Sequence, residues 1–386
     1  MHKEQNFQLI ATAASGLEAL VGKELREMGI ECQVENGRAR FQGTMETIAK
    51  TNLWLRCADR IKIIIGEFEA TSFEQLFNGV KNLPWEDYLP LDANFPVEGK
   101  SIKSKLFSVS DCQAITKKAI VNRLREYYHR PSHMPLPETG ALYKLEVALL
   151  KDKVTITLDT TGPSLFKRGY RIDKGGAPLK ENMAAAMVML TNWRKDRPFI
   201  DPVCGSGTLC IEAALIGHNI APGFNREFAC ESWSWFDDTV FEQVRVEAEN
   251  QADYDIELDI LGMDINENMI EIAKQNALEA GLSESITFKQ QAVKDFRTDK
   301  EYGVIVANPP YGERLGERES VRKLYQEMGK VMKPLTTWSK YILTSDLSFE
   351  EYYGQKATKK RKLYNGALRC DYFQFWGTRP PRNQNK

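Results

Sequence analysis

The stretch Pro198-Phe199-Ile200-Asp201-Pro202-Val203-Cys204-Gly205-Ser206-Gly207-Thr208 decides how this 386-residue chain is read. Pro198-Phe199-Ile200 is a short apolar strand, and 209–216 has the composition of a helix. Glycines between the two let the backbone approach a nucleotide closely, beside the N-terminus of the helix. The turn is not a P-loop, because no Gly-Lys-Ser/Thr follows. It also misses the G-x-G-x-x-G dinucleotide spacing, since position 210 is cysteine. A G-x-G turn alone says little; with Asp-Pro before it and Thr after it, it says considerably more. Cys204 reads as a small side chain of that turn rather than as a nucleophile.

Further along, the strand Ile260-Leu261-Gly262-Met263-Asp264 ends in a carboxylate. An acid there typically accepts hydrogen bonds from both ribose hydroxyls of a nucleoside, although the usual interval from the first strand is about 20 residues. An acidic, tryptophan-bearing insertion at 218–257 accounts for the excess. The plainer reading of Asp264 is a cap for the helix that follows. Trp233 and Trp235 read as packing anchors of the insertion rather than as a base-stacking cage.

Asn308-Pro309-Pro310-Tyr311, after the apolar strand Val304-Ile305-Val306-Ala307, is the second informative stretch. As punctuation it only stops a strand. It can also present an amide oxygen, a backbone carbonyl and an aromatic face in one array, stiffened because proline fixes φ and holds the residue before it extended. Two acceptors suit the two hydrogens of an exocyclic amine, and the tyrosine ring suits the base that bears it. Pulling on those N–H bonds exposes the nitrogen lone pair. The proton can leave after the nitrogen becomes cationic, so no strong base is needed and alignment with an electrophilic methyl group supplies much of the catalysis. Guanine N2 and adenine N6 fit this chemistry equally.

The rest of the chain divides into three regions. Residues 1–66 read as a small α+β unit, with Ser15 and Glu18 as a capping box. Residues 67–163 form a second unit, in which Ser110 and Gln113 cap a helix reaching about Tyr128. Ile120, Leu124 and Tyr127 mark one face of that helix, with Lys118, Asn122 and Arg125 opposite. From 164 to 386 strands, glycine turns and helices alternate, which predicts an α/β fold with a parallel sheet covered on both faces. The tail from Gly377 reads as unstructured.

Charge is segregated on a chain with 52 basic and 53 acidic side chains. From Lys100 to Arg130 eight bases face two acids; from Glu227 to Glu271 there are fourteen acids and one base; from Tyr352 to Cys370 there are six bases and no acid. Two basic patches on a neutral chain point to a localised anionic partner, or to ordinary solvated surface. Seven cysteines without a C-x-x-C pair, and four histidines, argue against a disulfide framework or a metal site. His129 and His133 read as surface histidines. No run of 18 apolar residues is present, so no membrane span is expected, and a reducing cytoplasm is the expected compartment.

Taken together, these motifs closely resemble those of class I S-adenosylmethionine-dependent amino-methyltransferases, and their order resembles the THUMP-domain RNA methyltransferases of the RlmL type. The segment from Phe7 to Gly29, with Gly16-Leu17-Glu18, looks like that family's ferredoxin-like N-terminal domain, and 67–163 like its RNA-binding THUMP domain. Phe166-Lys167-Arg168-Gly169-Tyr170-Arg171 and Ala177-Pro178-Leu179-Lys180-Glu181-Asn182 are similar to the stretches that precede and cover the cofactor site. Asn308-Pro309-Pro310-Tyr311-Gly312-Glu313-Arg314 matches the catalytic motif with its extension. The resemblance implies a class I, Rossmann-like methyltransferase domain over 164–386. It implies S-adenosylmethionine held by Asp201, Cys204, Gly205, Ser206, Gly207, Thr208 and Asp264, with Asn308 reaching it, and target chemistry at Asn308 to Tyr311. The family's usual acid near the adenine is missing after the third strand, which leaves Gln291, Ala292 or the backbone at Val293. Lys103, Lys105, Lys117, Lys118, Arg123 and Arg125 would contact structured RNA, and guanine N2 of large-subunit ribosomal RNA would be the target. The rival readings are a DNA adenine-N6 methyltransferase and a non-catalytic RNA-binding or ribosome-assembly factor.

Overall fold

In the computed structural model, which describes residues 5–131, 133–172, 179–312 and 317–381, the chain separates into two units. The first holds Met1–Ala13, Val21–Leu165 and Arg226–Glu247. Its strands are β1 (Phe7–Ala13), β2 (Cys32–Glu35), β3 (Arg38–Gly43), β4 (Ala58–Glu69), β5 (Val97–Ile102), β6 (Leu145–Leu150) and β7 (Lys153–Asp159). They make one sheet in the order β2-β3-β1-β4-β7-β6-β5. The isoleucine-rich β4 pairs antiparallel with β1 and with β7, so a single ladder runs through position 66, with a register shift between Ile64 and Gly66.

Helices α1 (Glu18–Glu27), α2 (Met45–Trp54), α3 (Phe73–Lys81) and α4 (Val109–Tyr127) come from the same half of the sequence. On α4 the buried face is Cys112, Thr116, Ala119, Ile120 and Leu124. Tyr127, expected on that face, is 54% exposed, because it sits in the last turn beyond the elements the helix covers. The cap also differs: Ser108 holds the N-cap position. Gln113 donates its side-chain amide to the carbonyl of Val97 at 3.1 Å, which ties the helix to strand β5.

The central part of the insertion, Arg226–Glu247, belongs with this first unit. Trp233 is buried, stacks on Tyr143 at a ring separation of 5.0 Å and donates its indole N–H to the carbonyl of Leu142 at 2.9 Å. Trp235 donates to the carbonyl of Tyr88 at 2.9 Å and lies 5.9 Å from the Phe7 ring. Both are packing anchors, and what they anchor is the N-terminal sheet rather than the insertion to itself.

The second unit holds Ala14–Leu20, Phe166–Asn225 and Ala248–Lys386. After α5 (Glu181–Met189) come β8 (Phe199–Asp201) and α6 (Thr208–Gly217). Following α7 (Thr239–Gln251), which begins in the insertion, are β9 (Ile260–Asp264), α8 (Glu267–Glu279), β10 (Thr287–Gln290) and β11 (Val304–Ala307). Then follow α9 (Glu317–Met332), β12 (Ser339–Thr344), α10 (Phe349–Tyr353), β13 (Lys359–Asn365) and β14 (Leu368–Phe375). The sheet order is β10-β9-β8-β11-β12-β14-β13. The first five strands are parallel, β14 runs antiparallel between β12 and β13, and β13 therefore points the same way as the first five. Strands β11 and β12 are buried along their whole length, as parallel strands covered on both faces must be. Trp338, Phe349, Tyr353 and Phe373 fill the core on one side. The tail is tied farther than its composition suggests: Gly377 and Thr378 donate to Ser339 and Thr336 at 3.1 and 3.0 Å.

Strand order reverses between β8 and β11, and ligands of such sheets bind in the crevice outside the strand ends at that point. Space there is cleared by glycine. A Cβ on Gly207 (φ +81°) would stand 2.9 Å from the Phe288 ring, whereas one on Gly205 (φ +49°) would meet nothing within 4 Å. Left-handed backbone costs a side-chain-bearing residue about 1–2 kcal/mol. Gly207→Ala should therefore lower unfolding free energy in urea by about 2 kcal/mol or more, and Gly205→Ala by about 1. Equal costs would show that Phe288 does not set the limit.

Candidate functional site

Asp201 ends β8 with its side chain 2% exposed and one oxygen accepting from the Val203 N–H at 3.1 Å. Burial pushes its carboxyl well above the usual carboxylate range, and the neighbouring Asp264 charge adds to this. Burial of this kind favours the neutral acid, and a cation brought beside it would favour the ionised form. Asp264 ends β9, one strand over. One of its oxygens accepts from the Gly205 N–H at 3.0 Å and the other from the Asn266 N–H at 2.9 Å. It does not cap α8; Asn266 does, accepting from the Asn268 N–H at 2.9 Å. Asp264 therefore clamps the glycine turn.

Asp201, Cys204, Gly205, Ser206, Thr208 and Asn308 line one cavity of about 160 Å³, together with Leu179, Val203, Leu209, Met269 and Ile272. The corner at 308 thus opens onto the glycine turn. Gly207 and Asp264 support the turn without lining this cavity. Burial pushes the Cys204 thiol far up, which keeps it protonated and unreactive. The Gln291 N–H donates to the Asp264 carbonyl at 2.9 Å, which carries the backbone of 291 and 292 to the end of β9. Its side-chain amide turns away to the Asp295 carbonyl at 3.0 Å, and neither Gln291 nor Ala292 lines the cavity.

Asn308 is half-buried, Pro309 buried, Pro310 exposed and Tyr311 half-buried. The Tyr311 hydroxyl donates to Asn308 Oδ1 at 2.5 Å, and the Asn365 amide reaches the same hydroxyl at 3.5 Å. Behind the corner, the buried Tyr325 hydroxyl donates to the Pro310 carbonyl at 3.2 Å and lies 2.8 Å from Thr344 Oγ1. Burial raises the Tyr325 hydroxyl to about 12 and moves Tyr311 in the same direction. Both stay neutral hydrogen-bonding groups at physiological pH.

Two contributors lay outside the residues singled out from sequence. Arg171 donates to Ser206 Oγ at 3.2 Å, Thr208 Oγ1 at 2.9 Å, the Leu179 carbonyl at 3.0 Å and Glu181 at 2.8 Å. It closes the turn from above, and the only sequence sign was the basic Phe166–Arg171 stretch. Tyr325 acts across fifteen residues and leaves no local pattern at all. Ala177, Pro178, Glu313 and Arg314 lie outside the described residues.

The six bases expected to face RNA divide in two. Lys103, Lys105 and Lys118 are exposed. Lys117 is committed to the Phe95 carbonyl at 3.0 Å and Glu138 at 2.9 Å. Arg123 pairs with both oxygens of Glu86, and Arg125 donates to the Met134 carbonyl at 3.1 Å. The charges of Lys117 and Arg123 are largely met by carboxylates of the chain, whereas Arg125 bonds a neutral carbonyl and keeps its charge. Among the described residues no group of three or more His, Cys, Asp or Glu side chains could hold a metal ion, and no helix is long and apolar enough to cross a membrane.

Comparison with known proteins agrees with this layout. Residues 8–62 match the RlmL ferredoxin-like domain, 70–159 the THUMP domain and 168–374 the RMKL-like methyltransferase domain. YpsC of Bacillus subtilis (strain 168), whose name assigns it provisionally as an RNA methyltransferase, is 54% identical over 383 residues, covering 99% of each chain. The ribosomal RNA large subunit methyltransferase K/L of Psychromonas ingrahamii (strain DSM 17664 / CCUG 51855 / 37) is 36% identical over 92% of this chain, which spans only 48% of that protein. Among solved structures, SMU.472, a methyltransferase by provisional assignment and complexed with SAH, superposes with a TM-score of 0.94 at 58% identity, covering 98% of this chain and 100% of that one. A predicted N6-adenine-specific DNA methylase from Listeria monocytogenes str. 4b F2365 gives 0.93 at 62% identity, covering 97% of each. The chain belongs to the RMKL-like methyltransferase family, with an RlmL ferredoxin-like domain and a THUMP domain ahead of its methyltransferase domain.

Proposed function

We propose that this protein transfers a methyl group from S-adenosylmethionine to an exocyclic amine of a base in structured RNA, with guanine N2 of large-subunit ribosomal RNA as the target. The observation that carries the reading is the shared cavity: Asn308 and the turn at 204–206 line the same space, so an amine acceptor and a nucleotide cradle face each other. The residues fit the donor. Asp201 suits its ammonium group, the N-terminus of α6 at Thr208 suits its carboxylate and Asp264 suits its ribose. Gly205 leaves open space beside them, and Ile265, 74% exposed next to Asp264, offers an apolar face to a purine. SAH in the structure of SMU.472 is in keeping with this. When bound, S-adenosylmethionine supplies an electrophilic methyl group.

The chain's own residues then position the amine. Asn308 Oδ1 and the Pro309 carbonyl accept its two hydrogens. Asn308 already accepts from Tyr311 O–H, so an incoming amine replaces one donor with another, and the freed ring can stack on the base. Tyr325 keeps the Pro310 carbonyl fixed while this happens. A target inside a helix must be unstacked to reach the corner, and the exposed lysines 103, 105 and 118 of the first unit would grip phosphates of the same RNA. The THUMP match and the K/L relative favour RNA, and the acceptor pair fits adenine N6 as well as guanine N2. The adenine-specific name of the Listeria relative keeps DNA adenine as the second reading.

Nucleoside mass spectrometry of ribosomal RNA and DNA from a deletion strain separates these readings. One N2-methylguanosine should disappear from large-subunit RNA and return with wild-type protein but not with Asn308→Ala. Loss of N6-methyladenine from DNA instead would establish the second reading, and an unchanged profile would remove both. Binding carries its own pH signature. Asp201 is raised in the free protein, and a bound cation favours its ionised form, so S-adenosylmethionine affinity should fall as pH drops through that raised value. Calorimetric titration of Asp201→Asn should show weaker binding with that pH dependence lost.

A further inference from the structure

Strand β13 carries a charge run that the reaction described above does not use. Lys359, Lys360, Arg361 and Lys362 are consecutive, Lys356 precedes them and Arg369 follows on β14, with no acid between Tyr352 and Cys370. The strand is the last in the sheet, so its outer edge is unpaired. Lys356, Lys359, Lys360, Lys362 and Arg369 are all exposed. Some of this charge is spent. Lys360 pairs with Glu350 at 2.8 Å, Arg369 lies 3.7 Å from Asp371, and Arg361 donates to the Gly16 carbonyl at 3.2 Å. Among the described residues Lys356, Lys359 and Lys362 form no ion pair within 4 Å, although Lys356 helps Lys360 to lower the Glu350 carboxyl; Lys362 lies 5.6 Å over the Tyr364 ring.

The strand also ends at the catalytic corner, where Asn365 reaches the Tyr311 hydroxyl at 3.5 Å. Lys362 is three residues earlier, about 10 Å along the strand. Lysine on an exposed edge commonly serves to prevent strand-to-strand association. That purpose is met by one or two charges. It does not call for four consecutive bases, which strand alternation sends to both faces of the ribbon, nor for their running up to the residue that touches Tyr311.

We infer that the β13 edge holds the sugar-phosphate backbone of the RNA strand that delivers the target nucleotide to Tyr311. This rests on the proposed function and adds to it a phosphate track within the methyltransferase domain, separate from the bases of the first unit. Lys356, Lys359 and Lys362 neutralise phosphates flanking the extruded nucleotide, and Tyr364 offers a ring to a neighbouring base.

The test compares wild type, the triple variant Lys356→Gln/Lys359→Gln/Lys362→Gln, and Asn308→Ala. Filter binding uses unmodified large-subunit ribosomal RNA, transcribed in vitro, between 50 and 200 mM salt; SAH affinity is measured in parallel to verify the fold. Each phosphate contact to a single strand contributes about 0.7 to the slope of log affinity against log salt. The triple variant should bind at least tenfold more weakly at low salt, with a slope lower by about 2, and should bind SAH as wild type does. Asn308→Ala should bind RNA normally and transfer no methyl group. Unchanged RNA affinity and slope in the triple variant would overturn the inference, and would do so even if that variant self-associates, which would make the lysines edge guards. Failure of wild type to bind RNA would also overturn it. RNA binding lost in the triple variant while wild type methylates no RNA would leave the phosphate track standing and remove the catalytic reading.

Discussion

The parallel pairing of β8 with β11 is the constraint on which the rest depends. Only two residue pairs register there, Phe199 with Val304 and Ile200 with Ile305. Because the strands are parallel and adjacent, both carboxyl ends emerge on the same edge of the sheet, and so do the turns that follow them. Asp201 and Asn308, more than 100 residues apart in sequence, therefore line one cavity. Antiparallel pairing would have sent them to opposite ends. The all-apolar sequence of β11 makes the pairing possible, since only a strand buried on both faces is stable at the centre of such a sheet.

Rigidity at this edge comes from groups that leave the chain few alternatives. Asp264 ties Gly205, Arg171 ties Ser206 and Thr208, and Tyr325 ties the Pro310 carbonyl. Each bond spans at least fifteen residues, so the two turns are held by the tertiary fold rather than by their own local preferences. The acceptor at the Asn-Pro-Pro-Tyr corner is held differently. Among the described residues Asn308 Oδ1 accepts from a side chain, the Tyr311 hydroxyl, which can be exchanged without breaking the backbone array.

What sequence reveals about this protein follows from the range of each interaction. The glycine turn, the end of β9 and the Asn-Pro-Pro-Tyr corner are local, and each declares itself through residues a few positions apart. The α/β architecture is legible because strand and helix alternation is likewise local. The partners of charged groups are not. Lys117 and Arg123 look like free bases on a helix, yet Glu138 and Glu86 are brought to them by the fold. Tyr325 was invisible as a site residue for the same reason, and Arg171 was marked only as part of the Phe166–Arg171 stretch. The insertion is instructive in another way. Trp233 and Trp235 identify themselves as anchors by type, but only the structure reveals that the sheet they pack on begins at Phe7.

The same reasoning separates the two basic regions. Charge density alone ranks Lys100 to Arg130 above the β13 stretch, with eight bases against six. Once ion pairs are subtracted the ranking no longer follows from the count, because part of the first set is neutralised by carboxylates at hydrogen-bonding distance. An ion pair already formed gives up its Coulomb and hydrogen-bond energy before a phosphate can replace it, so an exposed, unpaired lysine contributes more to a polyanion than a paired arginine does. On that basis the bases that matter are the unpaired ones, and on β13 they stand on the strand whose last residue touches Tyr311. In the proposed reaction a base is drawn out of its stack, and charge next to the corner acts on the displaced strand.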